Sequence, residues 1–168
     1  MIFFSIREFF YKLNTIGFIL LLLPLIVFVY LYLHAIETDA TIIQEGDHSR
    51  LLVLFIFVLL IDLTIVHLLW ILRIKKLKGL LELSKKMDGY FVLVLVRSVA
   101  YSLACLMMGL GFFLTESIYF TGLFILIILL LMIQWPTASR FSNQFDLRGS
   151  ERDMVLNNRD LVRRGAKR

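Results

Sequence analysis

The sequence predicts an all-helical integral membrane protein with four transmembrane helices, both termini inside and a short basic cytoplasmic tail. Three observations carry this. Of 168 residues, 60% are apolar and only 18% charged, whereas soluble domains run at about 45–50% and about 25%. Four apolar stretches supply the roughly 20 residues that a helix needs to cross a hydrocarbon core about 30 Å thick. The basic residues between these stretches fall almost entirely on one side. Such a composition excludes a disordered chain, a disulfide scaffold and an ordinary water-soluble enzyme.

The elements follow in order. Residues 1–15 place Ile2, Ile6, Phe9, Phe10 and Leu13 at helical spacing among Arg7, Glu8 and Lys12. They read as an interfacial amphipathic segment, or equally as an extension of the first span. That span covers about 16–36 and contains Gly17 and Pro24. Thr38 and Ala40 mimic a signal-peptide cleavage site, but the apolar run exceeds the roughly 7–15 residues of a secretory signal, so a retained span is expected. The second span, 51–72, is bracketed by Arg50 and Arg73. The third, 90–114, and the fourth, 117–135, are joined by little more than Thr115–Ser117, which predicts a tight antiparallel hairpin. Trp135 reads as an interface anchor and Pro136 as a helix stop, with Gln134 as a cap or headgroup contact. Spans 16–136 form the membrane domain, and 137–168 the tail. In the tail, Ser150 is the expected N-cap of one short helix with few apolar contacts, which would need lipid headgroups or a partner to be stable.

Orientation comes from Lys and Arg. Residues 1–15 hold two, the loop from Arg73 to Lys86 six and the tail eight, against Arg50 alone on the opposite side. The positive-inside rule then places both termini on the cytoplasmic side, and the expected location is a bacterial inner membrane. This asymmetry accounts for the pI of about 9.5 without any nucleic-acid partner.

Ionisable residues inside spans are costly and are functional candidates by default. Here they are Asp62, His67 and Arg97. At about 1.5 Å per residue, Asp62 lies about 16 Å and His67 about 9 Å from Arg73, and Arg97 about 12 Å from Gly89. Asp62 and Arg97 are thus expected to form an intramembrane pair that sets helix register, whereas His67 points about 140° away from Asp62. Tyr101 shares the Arg97 stripe on span three. Small and polar residues flank that stripe: Ala100, Ala104 and Gly111 on one side, and Ser98, Ser102, Cys105 and Gly109 on the other. In lipid such residues mark close helix packing, so span three is expected at the centre and span four at the periphery.

Catalytic chemistry is not indicated. No nucleotide-binding, zinc-protease or serine-hydrolase motif occurs, and Cys105 has no partner for a disulfide or a metal pattern. His34 and His48 border the acidic outer loop of Glu37, Asp39, Glu45 and Asp47, where a solvated loop is favoured over a cation site. No cofactor is expected. The reading is a non-catalytic multi-pass subunit or assembly factor of a larger inner-membrane complex for secretion, conjugation or envelope work. Arg148, Arg152, Arg159, Arg163 and Arg164 of the tail would contact a protein partner, and homo-oligomerisation stays open. The alternative is a small oligomeric transporter or channel using Asp62, His67 and Arg97. A lipid-modifying enzyme ranks third, because no carboxylate cluster or nucleophile stands near an interface.

Overall fold

The computed structural model describes residues 5–38 and 45–157. Among them every regular element is a helix: α1 (Ile6–Thr38), α2 (Glu45–Lys78), α3 (Leu83–Thr115), α4 (Ile118–Ile133), α5 (Ala138–Gln144) and α6 (Ser150–Leu156). Helices α1, α2 and α3 are long and apolar enough to cross a membrane. At about 1.5 Å per residue, the 16-residue α4 reaches only about 24 Å. It becomes a fourth candidate span when joined to α5, from which it is bent by 75°. The break follows from Pro136, which lacks an N–H and disfavours helical geometry in the residue before it.

The chain divides into two compact units, one of residues 1–17, 69–96 and 135–168, the other of 18–68 and 97–134. The first unit is held by an aromatic core. Ser5 caps α1 by accepting from the backbone N–H of Glu8 at 3.1 Å. With Glu8 three residues on, this is the Ser-x-x-Glu pattern of a capping box. Helix α1 therefore starts at Ile6 and runs on into the apolar segment without a break. Its stripe of Ile6, Phe9, Phe10 and Leu13 is buried with Tyr90 and Val94 of α3, so this face covers protein.

The tail supplies the other half of that core. Phe141 of α5 and Val155 of α6 are fully buried, as nearly are Phe145 and Leu147. The Phe141 ring meets Tyr90 edge-on at 5.0 Å, Phe10 edge-on at 6.2 Å and Phe145 at 4.7 Å. Edge-to-face pairs of this kind add about 0.5–1.5 kcal/mol each beyond area burial. The expected single helix is thus replaced by two short ones with substantial apolar contacts. The second begins after Gly149, so Ser150 is its first helical residue and not its cap. Between them the chain turns sharply. Asp146 adopts φ 51°, and the N–H groups of Asp146 and Leu147 return to the carbonyls of Asn143 and Ser142. This is a Schellman motif, which satisfies the last carbonyls of α5. Lys78 grips the same Asp146 at 2.7 Å.

In the second unit, α3 and α4 are joined by Glu116 and Ser117 only, with Glu116 at φ 52°. The two helices run back antiparallel: Gly111 lies so close to the Phe120 ring that a Cβ there would overlap it. Phe120, Phe124, Ile127 and Leu131 form the buried stripe of α4. Phe28 of α1 stacks on Phe124 at 4.0 Å and tilts against Phe112 at 5.7 Å. Of the three long helices α3 is the most buried, 44% of its most apolar window against 11% for α1 and for α2.

Candidate functional site

The polar cluster of the second unit gathers at the C-terminal end of α4. Its last turn leaves carbonyls without intrahelical partners, and Pro136 prevents the helix from continuing. Arg97 reaches this end from α3 and donates from Nη2 to the Gln134 carbonyl at 2.8 Å. Gln134 is the C-cap residue of α4, so a cation sits where the helix dipole is negative, a placement worth about 0.3–1 kcal/mol and up to about 2 when partly buried. One turn along α3, the Tyr101 hydroxyl lies against the Gln134 amide, which donates to it from Nε2 at 3.0 Å and accepts from it at Oε1 at 3.3 Å. Arg97 and Tyr101 thus clamp the end of α4.

This arrangement differs from the expected Asp62–Arg97 partnership. Among the described residues no ion pair joins the two. Depth along the helix axis, which the sequence supplies, brings both side chains to a similar level, but only helix rotation decides what Arg97 meets. It meets a backbone carbonyl, an acceptor that carries no signal in the sequence. Asp62 is half-buried on α2 and His67 is exposed, and among the described residues no cluster of His, Cys, Asp and Glu has the makings of a metal site. Ser98, Ser102, Ala104, Cys105, Gly109 and Gly111 are buried and Ala100 is half-buried, whereas the bulky Val92, Val96, Leu103 and Leu110 of the same helix are exposed. Asp39 of the outer loop lies outside the described residues, as do Arg159, Arg163 and Arg164 of the tail.

In the first unit, Trp135 donates from its indole N–H to Asn14 Oδ1 at 3.0 Å, and its ring lies against Gly17, where an added Cβ would sit 3.2 Å away. Sequence reasoning found Trp135 but missed Asn14. The hint available was a lone amide two residues before the first apolar run. Phe141 and Phe145 were likewise missed. Their i, i+4 spacing just after Pro136 was the sign of an apolar face. The exposed Arg148 and Arg152 lie on this anchored segment. Near them, the hydrogen bond from Lys78, reinforced by its charge, holds the Asp146 carboxyl below the ordinary carboxylate range.

The chain matches no family model, no curated protein and no solved structure.

Proposed function

We propose that this chain is a four-span protein of the bacterial inner membrane, with both termini cytoplasmic, that serves as a non-catalytic subunit or assembly factor of a larger membrane complex. The one-sided distribution of Lys and Arg supports the topology, with α4 and α5 as a broken fourth span. The observation that carries the functional reading is the tail: Phe141, Phe145, Leu147 and Val155 are buried in the first unit while Arg148 and Arg152 stay exposed. Arginines on a segment already ordered by its own core lose less freedom on docking than arginines on a loose arm. Arg97 argues for structure over transport, because its guanidinium is engaged at the end of α4.

The test is purification of the tagged chain from membranes in mild detergent. Proteins that co-purify with the wild type and are lost from the Arg148→Glu/Arg152→Glu double variant, at unchanged membrane level, are the expected result. A clean homo-oligomer, alike for both proteins, would overturn the subunit reading and favour the transporter. Cysteine labels at Ser84 and Ser150 should react only from the cytoplasmic side. Labelling of either from outside intact cells would end the topology.

A further inference from the structure

Helices α2 and α3 meet around the turn at Gly79–Glu82, and the two sides of this hairpin differ. One side, with Trp70, Ile74, Tyr90 and Val94, belongs to the aromatic core. The other is an open groove with a cavity of about 440 Å³. Its walls follow helical spacing: Leu69, Arg73 and Lys76 lie along α2, and Gly89, Val92 and Val96 along α3. At Gly89 the helices approach so closely that a Cβ would overlap the Leu77 side chain. The lining is otherwise aliphatic, and the two cations stand one turn apart on the same face.

The charges show what the groove lacks. Lys12, Lys78 and Lys85 are each matched with a carboxylate, on Glu8, Asp146 and Glu82. Among the described residues, Arg73 and Lys76 have no such counter-ion. Two uncompensated cations at the rim of an aliphatic groove complement an anionic amphiphile, charged at one end and hydrocarbon at the other. Basic pockets between membrane helices on the cytoplasmic side take anionic headgroups in this way.

We propose that the groove binds one anionic phospholipid, its phosphate between Arg73 and Lys76 and an acyl chain along Leu69, Val92 and Val96. This rests on the reading of the chain as membrane-spanning with its basic side inward, but not on the existence of a protein complex.

The experiment reconstitutes the full chain in nanodiscs of phosphatidylcholine containing a minor share of phosphatidylglycerol. Native mass spectrometry then counts the lipids retained on release. The expected result is one phosphatidylglycerol retained well above its share. Two headgroup contacts at about 1 kcal/mol each correspond to a loss of roughly thirtyfold in this preference for Arg73→Gln/Lys76→Gln. Lys75→Gln/Lys85→Gln removes the same charge outside the groove and should keep the preference. Val92→Trp fills the groove without touching the cations and should lose it. An unchanged preference in Arg73→Gln/Lys76→Gln, or an equal loss in the Lys75/Lys85 control, would overturn the site in favour of a diffuse basic surface. Preference surviving Val92→Trp would reduce it to a phosphate contact without an acyl chain, which inorganic phosphate would then compete away. A chain that does not enter the discs would refute the membrane reading itself.

Discussion

Phe141→Ala should release the tail from the first unit while leaving the second intact. The side chain is fully buried and is surrounded by Phe9, Phe10, Tyr90 and Phe145 at ring distances of 4.7–6.2 Å. Removing a buried phenyl ring costs about 3–5 kcal/mol, the sum of lost transfer energy and of the cavity left behind. Helix α5 has only seven residues and no stability of its own, so this loss falls on the docking of the segment. At about 1.4 kcal/mol per factor of ten, the open population should rise by about two to three and a half orders of magnitude. When opening is fast relative to cleavage, the proteolysis rate follows that population. Limited trypsin digestion of inside-out membranes, cutting at Arg140, Arg148 and Arg152, should therefore be accelerated by a similar factor. Phe141→Leu should give a much smaller increase. Cleavage of the Phe141→Ala tail at the wild-type rate would refute the claim that the aromatic core holds this segment.

Three further outcomes follow from named contacts. Gly111→Ala puts a methyl group into the buried Phe120 ring whereas Gly122→Ala meets open space; the gain in helix propensity is common to both, so thermal unfolding in detergent should separate them by the overpacking cost alone, about 1–3 kcal/mol. Arg97→Gln should destabilise by about 1.5–3 kcal/mol through loss of a charged hydrogen bond, and adding Asp62→Asn should not restore folded yield; recovery in the double variant would establish the ion pair instead. Because Lys78 lowers the Asp146 value, its contribution is fully present above the ordinary carboxylate value of about 3.9 and disappears as pH falls through the lowered value. Tail release in Lys78→Gln should thus exceed wild type at pH 7 and converge with it in strong acid, and a difference constant with pH would contradict this.

Much of the architecture was legible because it depends on local physics. Helix formation, apolar length and the breaks at Pro136 and at Glu116–Ser117 are set by neighbours a few residues away. They could be read from composition, period and turn residues. The Ser5–Glu8 cap is equally local, but a cap marks only where a helix starts, and whether residues 6–15 lie in the interface or extend the first span stayed open in the sequence. The polar residues within the apolar helices were also plain, since any charge there stands out against its surroundings.

The sequence by itself thus determined an all-helical chain, long apolar helices suited to lipid and the residues that would be expensive to bury. Only the tertiary structure decided what each of these meets. Arg97 could be assigned a depth but not a rotation, and its acceptor is a backbone carbonyl present at every residue. Phe141 and Phe145 lie in a charged tail whose local composition argues against a core, because the surface they cover, Phe9, Phe10 and Tyr90, comes from segments at least 50 residues away. The groove between Arg73, Lys76, Val92 and Val96 is legible from neither helix alone, since it is made by the rotation of two helices about Gly89. Periodicity names the faces of a helix. Which face is covered by protein and which by lipid is settled by packing energies summed over contacts distant in the chain.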